Sequence, residues 1–263
     1  MNDAAKCIDL LRQKARLTAM LAPSFPIVYE YPQIVTRLRV LGFQHVIEVT
    51  VGAKRTNEAV INFFKSNPGG RVIASPCAGF VRLVRKTYPH MEKYLGLKID
   101  SPMVASARIA KTSYPDAQPV FIGPCLAKKL ESSEDYPDLN IIVLTYRELD
   151  KIFEEFKIGD GPDQPASKFD LEEPATRMYP ADGGLTNSSG LRELLKEDEI
   201  RIISGWKNIP AALDEFEKNP KIRFLDILFC DGGCISGPGI ASKLSVEEKV
   251  KKIQEFQVRD AMR

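Results

Sequence analysis

Short runs of β-branched and aromatic residues alternate along this chain with helical patterns, and this alternation restricts the possible folds more than any other feature. Six runs predict buried strands, at 45–51, 71–76, 119–124, 140–146, 200–204 and 224–229, and 16–23 is a weaker seventh candidate. Helical patterns lie between them at 32–42, 57–66, 78–96, 101–114, 146–156, 189–196 and 209–218. Residues 245–263 predict a long amphipathic helix with Ser245 as its N-cap. Strands that alternate with helices favour an α/β fold in which parallel sheets are covered by helices on both faces.

Composition adds few further limits. The 263 residues are enough for one large domain or for two lobes with a sizeable core. The net charge of +2 gives no case for binding nucleic acid or an anionic membrane surface. No apolar run approaches the roughly 18 residues of a membrane-spanning helix, and the first residues lack the basic start and long apolar core of a secretion signal. We therefore expect a cytoplasmic protein without nucleic-acid or membrane partners.

Five cysteines carry the clearest chemical potential: Cys7, Cys77, Cys125, Cys230 and Cys234. An odd, sparse set in a chain of this length is not a disulfide framework, so each is a core residue, a reactive thiol or a metal ligand. Three of them, Cys77, Cys125 and Cys230, directly follow predicted strands. Functional residues of parallel sheets gather beyond the carboxyl ends of strands. Cys7 lies in a predicted N-terminal helix over 1–15 without a glycine context, and we leave it outside the site.

The other four cysteines suggest a shared metal site. Four thiolates are the usual ligand set of a cubane iron–sulfur cluster and also of structural zinc. Cys230 and Cys234 form a C-x₃-C pair, whereas the other two are isolated; zinc sites usually offer two close pairs, so zinc is the less natural occupant. Gly232 and Gly233 allow a tight turn and the close approach of a bulky group. Simple burial as small apolar side chains remains an alternative for each thiol.

Other residue types add weaker signals. Pro76 and Pro124 each precede one of the cysteines, where they remove an amide donor and stiffen the approach to the thiol. Lys128 comes three residues after the second of these cysteines, and a positive charge there would favour the thiolate. The two histidines, His45 and His90, occur at a predicted strand start and before a short helix, and we interpret both as structural.

Five motifs in order give the chain a specific resemblance. They are "IASPCAGFV" (73–81), "SPMVASARIAKTSYP" (101–115), "GPCLAKKLE" (123–131), "GGL" (183–185) and "CDGGCISGPG" (230–239). In this order they are similar to the catalytic domain of [FeFe] hydrogenases, and the similarity extends from about residue 16 over nearly the whole chain. It implies two lobes, each a mostly parallel sheet flanked by helices, with a cluster site in the cleft between them. We place lobe 1 at 16–150 and lobe 2, with the C-terminal helix, at 151–263, and segments can be exchanged between the lobes.

The resemblance also implies a cofactor and its ligands. Cys77, Cys125, Cys230 and Cys234 would hold a [4Fe–4S] cubane, and Cys234 would also bridge to a two-iron subsite with carbonyl and cyanide ligands. The resemblance assigns Lys111 a hydrogen bond to a cyanide. Lys111 and Lys128 are the two candidates for positive charge near the thiolates.

The departures from active hydrogenases concern proton transfer. Pro76 stands where the active enzymes carry a cysteine that passes protons to the open iron, and Asn187 stands where they carry a glutamate. The acidic pair expected after "VGA" (51–53) is also absent, because the next helix offers only Glu58, out of register. General acid–base catalysis needs a proton carrier within hydrogen-bond reach. Fast hydrogen turnover is therefore not expected.

These departures favour a sensory role. The stretches 177–191 and 229–239 are similar to the sensory branch of the family, whose members are often joined to PAS or kinase signalling modules. We expect hydrogen or redox sensing with slow or absent turnover. The alternatives are a non-catalytic [4Fe–4S] protein related to cytosolic iron–sulfur assembly factors, a slow hydrogenase, and a cluster-free relic. Because the chain lacks a C-x₂-C-x₂-C-x₃-C run, electrons would come from a partner protein or a ferredoxin-like segment.

Overall fold

The computed structural model describes residues 2–160 and 165–261, and within these ranges it contains seven strands in two sheets. The strands are β1 Leu17–Leu21, β2 His45–Glu48, β3 Val72–Ile73, β4 Gln118–Gly123, β5 Ile142–Thr145, β6 Ile200–Ser204 and β7 Phe224–Leu228. The first sheet has the order β2-β1-β4-β5 and the second has the order β3-β7-β6. Every strand pairing is parallel. The predicted α/β fold and its seven strands are therefore confirmed.

The helices between the strands are mostly those that the sequence predicts. They are α1 Asp3–Arg12, α2 Gln33–Leu41, α3 Thr50–Ser66, α4 Ala78–Thr87, α5 Pro102–Ser113, α6 Ala127–Leu130, α7 Tyr146–Glu155, α8 Gly184–Ser189, α9 Ile209–Lys218 and α10 Val246–Ala261. Ser245 caps α10 as expected: its Oγ accepts the amide of Glu248, whose carboxylate accepts the amide of Ser245. This reciprocal pair satisfies two amides that a helix start leaves free.

Three predicted helices differ from the observed ones. The pattern at 189–196 gives no α-helix, because Gly190 adopts φ +76° at the end of α8 and only a 3-10 turn, Leu191–Glu193, follows. The pattern at 78–96 divides into α4 and a 3-10 helix that starts at Pro89, since proline lacks the amide that would continue α4. Helix α3 begins at Thr50, before the predicted start at 57. The stretch 157–184 is rich in glycine, proline and aspartate, a composition that predicts a long connection, and it lies partly outside the described residues.

Each sheet is buried on both faces, which explains why its strands are apolar runs. The core of the first sheet includes β1, β4 and β5 together with residues of α1, α2, α5, α7 and α10. Helices α4 and α9 cover one face of the second sheet, where Phe80, Leu213 and Phe216 pack on Leu225. Helix α3 covers the opposite face with Val60 and Phe64, so α3 stands between the two sheets.

The predicted division at residue 150 does not separate the two sheets. β3 precedes that residue but pairs with β7 of the second sheet. Conversely, α10 follows it but buries Ile253 and Phe256 in the core of the first sheet. The two halves of the chain therefore exchange segments: the first half contains the whole first sheet and also β3 of the second, while α10 of the second half completes the first core.

Candidate metal centre

The carboxyl ends of strands from both sheets meet around one cavity of about 70 Å³. Residues that follow β1, β2, β3 and β4 line it together with the end of β7, in agreement with the general position of sites in parallel sheets. The lining residues include Ala22, Pro23, Ser24, Val49, Pro76, Met103, Phe121, Pro124, Cys125, Lys128, Tyr179, Leu228 and Cys234. Most of this wall is apolar, and Ser24, Lys128 and Tyr179 are its polar residues besides the cysteines.

The structure brings four of the five cysteines together. Cys77 is the N-cap residue of α4, Cys125 lies two residues before α6, and Cys230 and Cys234 flank the turn after β7. Their charges show the proximity: those of Cys77 and Cys125 both raise the pKa of Cys230 and of Cys234. Cys7 is separate. Its buried thiol lies in the core of the first sheet, and burial with the nearby charge of Asp3 raises its pKa to about 12.

Burial is the main influence on the clustered thiols. It raises the pKa of Cys230 to about 12, with smaller increases from Cys77, Cys125 and Asp231. Burial and the neighbouring thiols also raise the pKa of Cys234 well above its ordinary value. The pKa of Cys125 is raised in the same way. These thiols therefore hold their protons at neutral pH unless a positive charge, such as bound iron, compensates the thiolates.

Groups that favour the thiolate are concentrated at Cys125. Its sulfur accepts hydrogen bonds from the backbone amides of Ala127 and Lys128, and the charge of Lys128 also opposes the effect of burial. The amide of Phe229 lies 3.4 Å from the sulfur of Cys77 and donates to it. Amide donors of this kind surround the sulfurs of iron–sulfur proteins and adjust their potential.

Within residues 2–160 and 165–261, no three or more His, Cys, Asp or Glu side chains stand at the spacing of a single metal ion. A cubane cluster is wider than one ion, and its four ligands stand correspondingly further apart. The four thiols fit such a cluster in number and in chemistry, and they lie near enough to one another for their charges to interact. Cys125 and Cys234 also line the cavity.

Glycines bring the ligand segments close to one another. Gly233 has φ +97°, and a Cβ atom there would stand 2.5 Å from the carbonyl oxygen of Pro180. Gly239 donates its amide to the carbonyl of Pro124 at 2.8 Å, and a Cβ atom there would stand 2.9 Å from the same carbonyl group. The segment after Cys234 therefore docks on the turn that carries Cys125, and a side chain at Gly239 would separate the two.

The lysine beside the thiols is Lys128. Its ammonium group is buried and donates to the carbonyl of Pro76 at 2.9 Å, to Oγ of Ser101 at 3.0 Å and to the carboxylate of Glu131. Burial alone would lower the pKa of Lys128, but the charge and hydrogen bond of Glu131 outweigh it, and the net pKa is raised. Glu131 and Ser101 are not among the residues predicted from the sequence, although the i, i+3 spacing of lysine and glutamate after Cys125 is a signal for the ion pair.

The structure does not bring Lys111 to the thiols. Lys111 lies in the last turn of α5, and its ammonium donates to the carbonyl of Asp138 at 3.1 Å in an exposed position. Met103, at the start of the same helix, lines the cavity. Lys111 is eight positions after Met103, which places it about 12 Å further along the helix axis. Lys128, the other lysine that the sequence offered, takes the position beside the cysteines.

The two positions predicted to replace proton carriers have different surroundings. Pro76 lines the main cavity, and it also borders a second cavity of about 10 Å³, no larger than the space for one water molecule. The walls of this second cavity are mostly apolar, formed by Val60, Val72, Ala74, Gly96, Ile99, Leu185 and Phe224, with Thr56 and Ser75. Asn187 is exposed on α8 and lines neither cavity.

The histidines lie elsewhere. His45 stacks on Tyr114 with 3.6 Å between ring centroids. His90 is exposed, with its Nε2 3.7 Å from the carboxylate of Glu217. Neither lines the cavity beside the cysteines.

Comparison with known proteins identifies the family of the chain. The sequence model of the iron only hydrogenase large subunit, C-terminal domain, matches residues 16–238. The chain belongs to this family. The family resemblance inferred from the five motifs is therefore confirmed for this hydrogenase-like domain, while its assignment to a sensory branch stays a prediction.

Individual relatives are distant and longer. Iron hydrogenase 1 of Clostridium pasteurianum is 26% identical over 264 residues, covering 79% of this chain and 45% of that protein. Cytosolic Fe-S cluster assembly factor NAR1 of Encephalitozoon cuniculi is 27% identical over 206 residues, covering 69% of this chain and 55% of that protein. The chain thus spans about half the length of the curated relatives it matches.

Solved structures share the fold. A variant of [FeFe]-hydrogenase HydA1 from Chlamydomonas reinhardtii has a TM-score of 0.75 at 17% identity, covering 98% of this chain and 88% of that one. The HydA structure that describes stepwise H-cluster assembly has a TM-score of 0.74 with the same identity and coverage. The hydrogenase-like domain therefore keeps the fold nearly complete despite very different side chains.

Proposed function

We propose that this hydrogenase-like domain binds a [4Fe–4S] cluster through Cys77, Cys125, Cys230 and Cys234, and that it senses hydrogen or redox state with slow or absent turnover. The observation that carries the proposal is the proximity of these thiols, whose charges act on one another across the two sheets, together with the apolar cavity that Cys125 and Cys234 line. When bound, the cubane would take up or release one electron.

The cavity supports a second, two-iron part of the cofactor. Cys234 and Cys125 both line it, so an occupant could be bridged to the cubane through the sulfur of Cys234. The side chains of Met103, Phe121 and Tyr179 line the cavity and supply apolar contact. An apolar, largely preformed cavity with a few polar groups at one edge is the usual form of a cofactor site.

The surroundings of Pro76 support slow turnover. Proline has no titratable group, and the small cavity beside it is walled mainly by apolar side chains such as Val60 and Leu185. Asn187 cannot carry a proton and is exposed away from the cavity. General acid–base catalysis requires a group of suitable pKa within hydrogen-bond reach of the reacting atom. A domain without such a group at positions 76 and 187 is suited to binding hydrogen and signalling its presence rather than to rapid turnover.

Loss of a ligand tests the cluster directly. Cys234→Ala is expected to remove iron and visible absorbance from anaerobically purified protein, because the cubane loses one of four thiolates. Cys7→Ala is the matched control, since that thiol is buried away from the others, and it should retain both signals. Equal iron contents in the two variants would refute cluster binding at this site.

Infrared spectroscopy tests the two-iron part. After co-expression with the maturation enzymes, the domain should show carbonyl and cyanide bands. If these bands are absent, the proposal of a two-iron subsite is refuted, and only the proposal of a cubane stands.

Hydrogen uptake with an artificial electron acceptor tests the proton argument. Pro76→Cys introduces a thiol at the edge of the cavity and should raise uptake above that of the unmodified domain. An unchanged rate, with the cofactor loaded equally in both, would contradict the role assigned to Pro76.

A non-catalytic [4Fe–4S] protein is the second candidate, favoured by the similarity to NAR1, which its name describes as a cluster assembly factor. A cubane spectrum without carbonyl or cyanide bands and without any response to hydrogen would support it.

Partners and location remain expectations. We propose that electrons reach the cubane from a partner protein or a ferredoxin-like segment, that a PAS or kinase module receives the signal, and that the protein is cytoplasmic. Over residues 2–160 and 165–261 no helix is both long and apolar enough to cross a bilayer.

A further inference from the structure

Lys128 holds together three chain segments that meet at its ammonium group. Only 8% of this residue is exposed, and only 6% of Glu131 and 2% of Ser101. Its three hydrogen bonds go to the Pro76 carbonyl, the Ser101 hydroxyl and the Glu131 carboxylate. A lysine ammonium has three donors, so none is left over for another acceptor.

These contacts cross between the two sheets. Pro76 follows β3 of the second sheet and directly precedes Cys77, whereas Lys128 follows β4 of the first sheet and comes three residues after Cys125. Ser101 is the N-cap of α5, which packs on the first sheet. The ammonium therefore ties the segment of one cysteine ligand to the turn of another.

Burial makes this connection specific. A buried charge that loses its partner is strongly destabilising, so the ammonium and the Glu131 carboxylate need each other to stay inside the protein. The Pro76 carbonyl also needs the ammonium as a donor, because an unpaired buried carbonyl costs free energy. All three hydrogen bonds of the Lys128 ammonium are therefore made to protein groups, without any cofactor.

We propose that Lys128, Glu131 and Ser101 are positioning residues, which hold the segments of Cys77 and Cys125 at the spacing of a cluster before the cluster is inserted. The inference rests on the proposed function, because it assumes that these thiols receive a cluster. The quantity that it predicts, the distance between the sulfurs of Cys77 and Cys125, can nevertheless be measured in the cluster-free protein.

Cross-linking measures that distance without any metal. In a full-length chain with Cys7, Cys230 and Cys234 changed to serine, a short bifunctional thiol reagent should join Cys77 to Cys125 within one molecule. Adding Lys128→Met should slow this intramolecular step about tenfold, because the effective concentration of one thiol at the other falls. Lys218→Met is the matched control: Lys218 forms an exposed i, i+4 ion pair with Asp214 on α9, and its loss should leave the rate unchanged.

Variants of graded severity keep the test valid if Lys128→Met does not fold. Ser101→Ala removes one acceptor and leaves the ion pair, and Glu131→Gln keeps an acceptor of the same shape without its charge. Both should fold, as judged by circular dichroism, and both should slow cross-linking by less than Lys128→Met. Equal rates in all folded variants would overturn the proposal.

Reconstitution separates this proposal from the proposed function. Cluster-free protein with all five cysteines is incubated anaerobically with ferrous iron, sulfide and a thiol reductant, and the rate at which visible absorbance appears is measured. Positioning predicts that Glu131→Gln lowers this rate several-fold while the final iron content approaches that of the unmodified protein. An unchanged rate would overturn positioning. If no protein takes up iron but cross-linking still depends on Lys128, the proposed function fails and the positioning of the two thiols stands.

Discussion

Glu48 has a fully buried carboxyl group, and replacing this residue tests how its ionisation changes the stability of the protein with pH. It ends β2, and its Oε2 accepts a hydrogen bond from Nε of the equally buried Arg177 at 3.0 Å. Burial raises the pKa of Glu48 from 4.5 to about 7, even though Arg177 and a hydrogen bond from Thr50 lower it. The arginine is also bound by Glu172 and lies 4.1 Å from the ring centroid of Phe256.

This pKa has a definite consequence for stability. Because the pKa of Glu48 is higher in the folded protein than in the unfolded chain, the folded state binds the proton more tightly. Its contribution to the free energy of unfolding is complete below pH 4.5, declines as the pH rises towards 7, and stays at its lowest above that. A pKa unit corresponds to about 1.4 kcal/mol, so the whole decline is about 3 kcal/mol. About 2 kcal/mol of it falls between about pH 5.5 and about pH 8.

Glu48→Gln removes the ionisation but keeps the size and hydrogen-bonding capacity of the side chain, and Arg177 retains Glu172 as its partner. Urea unfolding of the cluster-free protein at the two pH values should show the variant losing about 2 kcal/mol less than the unmodified protein between them. Glu58→Gln, at an exposed glutamate of α3, should keep the unmodified pH dependence. Identical pH dependence in Glu48→Gln and the unmodified protein would refute the assignment.

Three further substitutions follow from packing. Gly233→Ala should cost about 1–3 kcal/mol, because an L side chain is strained at φ +97° and would meet the Pro180 carbonyl; an unchanged melting temperature would contradict this. Phe216→Ala should cost about 3–5 kcal/mol in urea unfolding, since its fully buried ring leaves a cavity, while iron per folded protein stays constant. Cys7→Ala should cost about 1 kcal/mol, which thermal unfolding can measure, and a larger loss would show that its thiol does more than fill the core.

The strands were predictable because parallel strands buried on both faces leave a strong local signal. All five residues of β1 are buried, and so are all five of β7, and each strand carries four apolar residues and only one polar one. The start of α3 was not predictable in the same way. Its first turns combine buried Gly52 and Ala53 with exposed Lys54 and Arg55, and this mixture hides the helical period. The exchange of β3 into the second sheet depends on contacts between distant residues, which no local pattern records.

The site was predictable in its cysteines but not in its charges. Cys77, Cys125 and Cys230 could be placed together because each follows a strand, and carboxyl ends of parallel strands share an edge. A lysine gives no such signal, because its flexible side chain is solvated at most positions and is buried only where a partner is supplied. The three acceptors around Lys128 come from segments as far apart as 76, 101 and 131, so its burial could be seen only in the folded chain.

The pairing of β3 with β7 fixes the order of events during biosynthesis. Residues 72–73 are held in register by residues 224–225, so the segment that carries Cys77 has no strand to pair with until nearly the whole domain has left the ribosome. The amide of Gly239, which fastens the last ligand segment onto the turn of Cys125, emerges later still. A growing chain therefore brings the four thiols of the proposed site together only after residues 224–239 have been made, and insertion of the proposed cluster would follow the translation of these residues.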